Sequence, residues 1–196
     1  MPARVRIVGG AWKRTPLAVI DAPGLRPTPD RVRETVFNWL GGTLHGWRCV
    51  DLFAGTGALG LEAASRGAAE VIAVEQDARA LRALQQVKDR LRADALQLVR
   101  GDASAVVRQL AATRAGGFDA VFLDPPFGAG WTARVAPTAA RLLAPGGYLY
   151  LEAEAPPDAA LAAQLAGLGL AGWRAGRAGQ VHYHLWRHTA SFDRSA

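Results

Sequence analysis

The sequence predicts an α/β protein built around one mostly parallel β-sheet. From Cys49 onward, short apolar runs alternate with segments in which apolar residues recur at helical spacing, such as Leu81, Leu84 and Val87. Strands that alternate with helices form βαβ units, so helices are expected to cover both faces of the sheet. Half of the 196 residues are hydrophobic, which is enough to bury a sizeable core.

The chain is expected to begin with a basic hairpin arm over residues 1–24, where two extended segments flank the turn GGAW. Residues 25–196 are predicted to form the main domain. Its first helix lies in RPTPDRVRETVFNWL, with Thr28 as the expected N-cap and Pro29 at the first helical position. The predicted buried stripe of this helix is Val32, Val36, Trp39 and Leu40. The opposite face carries Arg31, Glu34 and Asn38.

Five strands are predicted after this helix, in the segments CVDLFA, AEVIAVE, LQLVRGD, FDAVFLD and YLYLEAE. The end of the chain departs from the alternation, because GWRAGRAGQVHYHLWRH contains two extended segments around a turn and no helix. Within it, VHYHLWR alternates between apolar and polar residues and predicts a last strand that is antiparallel. The complete sheet should therefore contain seven strands.

Basic residues are concentrated at the two ends of the chain. Residues 1–48 carry eight Arg and Lys against three Asp and Glu, and residues 173–196 carry four against one. The segment between them is nearly neutral, with eleven basic residues against thirteen acidic ones. This distribution is typical of a protein whose flanking elements bind a polyanion such as RNA. The alternative is a surface that arginines merely solvate, since Arg outnumbers Lys 21 to 2.

The composition also predicts where the protein works. No apolar run approaches the roughly 18 residues that span a bilayer, and the first residues contain no apolar signal core. A single cysteine, Cys49, fits a reducing compartment, so a cytoplasmic location and no membrane partner are expected. His182 and His184 have no Cys or acidic pattern beside them, so no metal is expected. The protein is expected to act as a monomer.

A glycine-rich turn follows the first predicted strand of the sheet. The segment DLFAGTGALG contains G-x-G-x-x-G, starting at Gly55, Thr56 and Gly57, between a strand and a helix. Glu75 follows twenty residues after Gly55, at the end of the next strand, where an acid can bind ribose hydroxyls. This spacing predicts a nucleotide-containing cofactor, but it fits NAD as well as other cofactors.

Asp51 helps to choose between these cofactors. Its carboxylate lies four residues before Gly55 and would repel a pyrophosphate placed over the turn. S-adenosylmethionine has no phosphate there, and its ammonium group would be attracted by Asp51, directly or through water. The alternative is a carboxylate that braces the loop or caps the helix. Phe53 and Thr56 in the turn and Gln76 after Glu75 are further candidate cofactor contacts.

The fourth predicted strand ends in Asp124, Pro125, Pro126 and Phe127. The prolines have no N–H group, so the turn presents acceptors, the Asp124 carboxylate and the Pro125 carbonyl, and no donors. An exocyclic amine on a nucleobase can donate two hydrogen bonds to these acceptors while its ring stacks on Phe127. Methyl transfer makes such an amine positively charged, which Asp124 would stabilise, and Asp124 could also accept the released proton.

The acid, the glycine turn, the acid on the second strand and the DPPF turn together resemble class I methyltransferases that modify amino groups. In those enzymes an acid at the end of the third strand bonds the adenine amino group, which implies a role for Asp102 with Ala103 beside it. The DPPF turn is expected beside the glycine turn, because the fourth strand neighbours the first in this topology.

The order of five segments narrows the resemblance further. RIVGGAWKRTPL, RPTPDRVRETVFNWL, DLFAGTGALGLEAASRGA, FLDPPF and GQVHYHLWR occur as in the RsmD family, bacterial methyltransferases that modify guanine N2 in small-subunit ribosomal RNA. The resemblance implies a Rossmann-like fold, S-adenosylmethionine as methyl donor, and ribosomal RNA or an assembling 30S particle as partner. The N-terminal arm would engage the RNA. The candidate RNA-binding residues are Arg4, Arg6, Lys13, Arg14 and Arg31.

Three alternatives stay open from the sequence. An adenine-N6 methyltransferase of DNA or RNA would share the DPPF turn. A nicotinamide-dependent oxidoreductase would share the glycine turn but leaves Asp51 and the DPPF turn unexplained. An RNA-binding assembly factor with a vestigial cofactor site would bind RNA without methylating it.

Overall fold

The computed structural model describes residues 5–17, 28–128 and 130–189. The chain forms two compact units, Met1–Ala103 and Ser104–Ala196. The predicted boundary between arm and main domain, at residue 24, lies outside the described residues, as does Arg4.

The strands are, in chain order, β1 (Val5–Arg6), β2 (Pro16–Leu17), β3 (Arg48–Asp51), β4 (Glu70–Glu75), β5 (Leu96–Arg100), β6 (Phe118–Leu123), β7 (Leu143–Ala153), β8 (Leu170–Ala178) and β9 (Val181–His188). β1 and β2 form an antiparallel pair, and the others form a seven-stranded sheet in the order β5-β4-β3-β6-β7-β9-β8. β3, β4 and β5 are parallel to one another, as are β6 and β7. β9 runs antiparallel to β7 and to β8. The predicted fold class, with its N-terminal hairpin and antiparallel last strand, is confirmed.

The helices are α1 (Asp30–Trp39), α2 (Ala58–Ser65), α3 (Ala78–Leu91), α4 (Ala103–Thr113), α5 (Trp131–Ala140) and α6 (Ala159–Gly167). Two of them begin at an aspartate that caps the first turn. The Asp77 side chain accepts hydrogen bonds from the backbone N–H groups at the start of α3, and Asp158 does the same for α6. Such caps satisfy amides that have no partner within the helix.

The first helix departs from its prediction in two ways. Pro29, with an extended backbone (φ −56°, ψ 144°), occupies the N-cap position predicted for Thr28, and no side chain caps the helix. The buried face includes Arg33 and Phe37 as well as Val32 and Val36, whereas Trp39 is only half-buried. Periodicity could not predict a buried arginine, because its burial depends on carboxylates elsewhere in the fold.

The strand β7 begins at Leu143, five residues before the predicted strand segment YLYLEAE. The helix before it ends at Ala140 although helical spacing continues through LLAP. The carbonyls of Arg141 and Leu142 accept hydrogen bonds from the backbone N–H groups of Gly116 and Phe118. These bonds draw the chain into the sheet, where the register shifts between Phe118 and Ala120.

The core lies on both faces of the central strands and around α2. Five residues of β6 are buried, and every residue of α2 is buried, including Glu62 and Ser65. Among the described residues, no helix is long and apolar enough to cross a membrane.

Candidate functional site

The glycine turn joins β3 to α2, a strand and a helix, as its sequence predicts. Gly57 is the N-cap of α2 and has a left-handed backbone, with φ of 78°. A Cβ atom at this position would lie 2.3 Å from Cδ1 of Leu84, so a larger residue would force the packing of α3 apart. Glycine is needed at Gly57 both for its backbone angle and for the close approach of another helix.

Asp51 lies at the end of β3 and is 1% exposed. One carboxylate oxygen accepts a hydrogen bond from the Gly60 N–H at 3.0 Å, and the other accepts from the Phe53 N–H at 3.4 Å. The carboxylate therefore braces the turn from beneath, which is the alternative that the sequence left open for it. Its negative charge also lies directly under the glycine turn.

Glu75 ties the end of β4 to the same turn. Its Oε2 accepts a hydrogen bond from the Gly55 N–H at 2.8 Å, and its Oε1 accepts from the Asp77 N–H at 2.7 Å. The side chain is half-buried, so part of the carboxylate remains accessible to a ligand. Thr56 is half-buried and Gln76 is exposed.

The end of β5 approaches the end of β4, since the Gly101 N–H donates to the Glu75 carbonyl at 3.2 Å. Asp102 follows and is exposed, and Ala103 is the buried first residue of α4. The structure thus gathers Asp51, Glu75 and the glycine turn through hydrogen bonds, with Asp102 one residue beyond the bonded Gly101.

Ser104 was not predicted as a site residue. Its Oγ atom is buried and makes no hydrogen bond within residues 5–17, 28–128 and 130–189. It follows Asp102 and Ala103 in the chain and is the second residue of α4. Only the sequence RGDAS, a serine directly after the Asp-Ala pair, could have pointed to it.

The DPPF turn follows β6 in the second unit. Asp124 and Phe127 are half-buried, Pro125 is buried and Pro126 is exposed. Because the two prolines carry no N–H group, the turn offers hydrogen-bond acceptors to a ligand, as its sequence predicts. A half-buried carboxylate beside a half-buried ring suits a planar, amine-bearing ligand.

A second carboxylate, on β7, lies near the DPPF turn and was not predicted. Tyr150 and Glu152 are buried, and the Tyr150 hydroxyl donates to Oε1 of Glu152 at 2.6 Å. Burial, then the charge of Glu152 and, more weakly, that of Asp124 raise the pKa of Tyr150 well above its ordinary value. Tyr150 also contacts Phe122 edge-on, with ring centroids 6.3 Å apart. A tyrosine held in its protonated form can act only as a donor to this carboxylate.

The N-terminal arm is held on α2 by backbone hydrogen bonds. The Val8 N–H donates to Glu62 Oε2 at 2.8 Å, and the Trp12 N–H donates to Ser65 Oγ at 2.9 Å. Ser65 Oγ donates in turn to the Gly9 carbonyl at 2.6 Å. The arm thus covers the helix that begins at the glycine turn.

The candidate RNA-binding residues of the first unit differ in their surroundings. Arg6 forms an ion pair with Asp30 at 2.8 Å and is 61% exposed. Lys13 and Arg14 are exposed in the turn of the arm, and Arg31 is exposed on the outer face of α1.

Glu62 is the centre of a buried ion network that the sequence did not predict. Its side chain is fully buried and pairs with Arg66 at 2.8 Å and with the equally buried Arg33 at 3.5 Å. Arg33 also pairs with Asp30, whose other oxygen binds Arg6. The network links the arm, α1 and α2, and its members Arg6 and Glu62 are 56 residues apart in the sequence. A local sequence pattern cannot predict a contact over that distance.

The titratable residues that the structure describes do not assemble a metal centre. No group of three or more His, Cys, Asp or Glu within the described ranges could hold a metal ion. The polar groups at the glycine turn are instead carboxylates bound to backbone amides, and they suit the hydroxyl and ammonium groups of an organic cofactor.

Comparison with known proteins places these features in one family. The model of the family described as "Conserved hypothetical protein 95" matches residues 5–187. The chain is 37% identical over 196 residues to "Ribosomal RNA small subunit methyltransferase D" of Escherichia coli, covering 98% of this chain and 94% of the relative.

Solved structures agree with the fold. The Escherichia coli methyltransferase-like protein yhhF superposes with a TM-score of 0.79 at 33% identity, covering 96% of this chain and 100% of that one. Magnesium protoporphyrin IX methyltransferase from Synechocystis, solved with bound S-adenosylmethionine, has a TM-score of 0.64 at 20% identity. It covers 81% of this chain and 79% of its own, and it is similar in fold alone.

Proposed function

This chain belongs to the RsmD family, and from that premise we propose that it transfers a methyl group from S-adenosylmethionine to guanine N2 in small-subunit ribosomal RNA. The observation that carries the proposal is the DPPF turn, where a half-buried carboxylate and a half-buried ring flank two prolines that have no N–H group. The name of the Escherichia coli relative supports ribosomal RNA as the substrate, and the acceptors of the DPPF turn support an exocyclic amine such as guanine N2 as the methylated group.

The glycine turn supports S-adenosylmethionine as the donor. When bound, S-adenosylmethionine would supply a sulfonium-bound methyl group. The residues of this chain would bind and orient that cofactor. Glu75 is braced by two backbone amides and half-buried, so its carboxylate is positioned to accept from ribose hydroxyls. The buried charge of Asp51 favours a cationic ligand over the turn and disfavours a pyrophosphate.

Asp124 would act on the acceptor base. The Asp124 carboxylate and the Pro125 carbonyl accept the two hydrogens of an exocyclic amine, and Phe127 stacks on its ring. As the N–C bond forms and the sulfur–methyl bond breaks, the donor would leave as a neutral thioether and the nitrogen would become positively charged. The Asp124 carboxylate would stabilise that charge and accept the proton. The base must leave its stack to reach the turn, which costs a few kcal/mol and is cheapest in a loop.

Replacement of Asp124 tests the acceptor half of the proposal. Asp124→Ala should abolish methyl transfer to small-subunit RNA while S-adenosylmethionine affinity stays within a few-fold. Asp124→Asn keeps an acceptor oxygen without the charge, and its rate should fall by about 10²–10⁴ if the charge and proton acceptance matter. Asp119→Ala, on the same strand, is the matched control. Full activity of Asp124→Ala would refute the assigned role.

Glu75→Gln tests the cofactor half. We expect weaker S-adenosylmethionine binding by calorimetry, because the glutamine side chain has one acceptor oxygen and cannot accept from both the ribose hydroxyls and the two backbone amides.

Asp51→Asn should weaken the binding of S-adenosylmethionine more than that of 5′-methylthioadenosine, which lacks the ammonium group. Equal losses for both ligands would assign Asp51 to loop bracing alone.

The modified base is identified by mass mapping of small-subunit ribosomal RNA after reaction with the purified protein. N2-methylguanine is the expected product. N6-methyladenine would replace the proposal with the adenine enzyme, and RNA binding without any methyl transfer would support an assembly factor.

A further inference from the structure

The outer strands of the second unit carry an arginine and aromatic cluster that the proposed function does not use. We call Tyr148, Trp173, Arg174 and Arg187 the edge patch. Tyr148 lies on β7 opposite Arg187 on β9, and Trp173 and Arg174 lie on β8, which is the last strand of the sheet. Trp173 sits at a register shift between β8 and β9.

The guanidinium groups of the edge patch lie over aromatic rings. Arg174 is 4.8 Å and Arg187 is 5.2 Å from the centroid of Trp173, and Arg187 is 5.7 Å from that of Tyr148. Neither arginine forms an ion pair with a carboxylate in the described part of the chain. Arginines held in this way are ordered without being neutralised, so their charge remains available to an anionic partner.

Trp173 is exposed to an unusual degree. At 42% it is the one exposed large hydrophobic residue among those that the structure describes. Residues 159–192 contain three arginines and three histidines but no Asp or Glu, so no acid in this segment opposes an anion. An exposed indole beside unneutralised arginines is a suitable surface for base stacking with adjacent phosphates.

An open cavity of about 240 Å³ adjoins Trp173 and Arg174. It is also lined by His184 and Trp186, whose Nε2 and Nε1 atoms are buried and make no hydrogen bond within residues 5–17, 28–128 and 130–189. Burial and the neighbouring His182 lower the pKa of His184, so its ring is neutral at neutral pH. The Trp186 N–H can therefore donate to a ligand and the neutral His184 can donate or accept, as the edge of a nucleobase requires.

We propose that the edge patch is a second RNA-binding surface, on which an unpaired base stacks on Trp173 while Arg174 and Arg187 contact the flanking phosphates. The inference rests on the proposed function in taking RNA as the partner. Arginines on an edge strand also prevent strand pairing between molecules, but that role needs neither an exposed indole nor unbonded polar atoms beside it. RNA is favoured over a protein partner because the patch presents cations without any acid.

The test is binding of small-subunit RNA fragments with single-stranded regions, measured across a salt series without cofactor. Trp173→Ala should lower the affinity about fivefold or more, and Trp173→Phe should restore most of it, since a phenyl ring still stacks. The double variant Arg174→Ala/Arg187→Ala should reduce the slope of log affinity against log salt by about 1.4, the value expected for the loss of two phosphate contacts to single-stranded RNA. Arg177→Ala, on the same strand, is the matched control, because Arg177 binds the Gly179 carbonyl and not the patch.

Thermal unfolding of each variant shows that it is folded. An affinity within twofold and an unchanged salt slope would overturn the inference, and so would a loss seen only with assembled particles, which would indicate a protein partner. Neither outcome affects the proposed methyl transfer, because that proposal is tested by the methyltransferase activity of the Asp124 variants. If the wild-type protein bound none of these fragments, the inference would be overturned, whereas the proposed methyl transfer would still be decided by the activity of the Asp124 variants.

Discussion

The two basic ends of this chain have similar charge in sequence but different roles for their arginines in the structure. In the first unit, Arg6, Arg33 and Arg66 pair with Asp30 and Glu62, and they hold the arm and α1 on α2. In the second unit, Arg174 and Arg187 lie over Trp173 and pair with no described carboxylate. Net charge therefore predicts a polyanion partner, but the surroundings of each arginine decide whether it can contact that partner.

The contrast follows from where acids lie. Asp30 and Glu62 lie on helices that pack against the arm, so nearby arginines are neutralised and partly buried. Residues 159–192 contain no acid, so the arginines there have only rings and carbonyls for partners. Among the N-terminal candidates, Lys13, Arg14 and Arg31 are exposed and form no ion pair with a described carboxylate, so they are comparable to the arginines of the edge patch.

Glu62→Ala should have the largest effect, because it removes the carboxylate of Arg66, one of the two carboxylates that pair with the buried Arg33, and the acceptor of the Val8 N–H. We expect a loss of about 3–5 kcal/mol in the free energy of unfolding, measured with urea. Glu34→Ala, on the exposed face of α1, should change it by less than about 0.5 kcal/mol. A loss below about 1 kcal/mol for Glu62→Ala would show that the network contributes little to holding the arm.

Lys13→Ala with Arg14→Ala should weaken RNA binding and reduce its salt slope by about 1.4–1.8, since both cations are exposed in the turn. The measurement is affinity for small-subunit RNA over a salt series. Arg79→Ala, an exposed arginine of α3, is the control. An unaltered slope would remove the arm from the RNA interface and leave the edge patch as its candidate.

His184→Gln should flatten the dependence of stability on pH. In the wild-type protein the folded pKa of His184 is lowered by burial and by His182. In the unfolded chain, His184 has the ordinary histidine pKa of about 6.5. Below this pH the unfolded chain binds a proton more readily than the folded chain, so the free energy of unfolding decreases as the pH falls. Melting temperature between pH 7.5 and 5.5 should fall less in His184→Gln than in the wild type. His45→Gln, an exposed histidine, should behave as the wild type.

Arg6→Ala should have the smallest effect on stability. The Arg6–Asp30 pair is largely exposed, and such pairs contribute about 0–1 kcal/mol. The readouts are the urea midpoint and RNA affinity in the same preparation. A large loss of RNA affinity with unchanged stability would assign Arg6 to RNA rather than to the arm.

The elements that depend on local pattern were predictable. The alternation of strand and helix and the position of the glycine turn between β3 and α2 follow from side-chain periodicity and turn chemistry, both of which act over a few residues. The segments after Ala140 were less predictable, because hydrogen bonds to Gly116 and Phe118 end the helix early.

The sequence by itself determined the sheet, the glycine turn and the acceptor turn. Tertiary structure alone decided that the Asp51 carboxylate binds the Gly60 N–H, that Glu62 holds the arm, and that the buried Tyr150 hydroxyl donates to Glu152. The physical reason is distance along the chain. Glu62 and the Val8 amide are 54 residues apart, and a buried charge is stable only where folding brings it a partner.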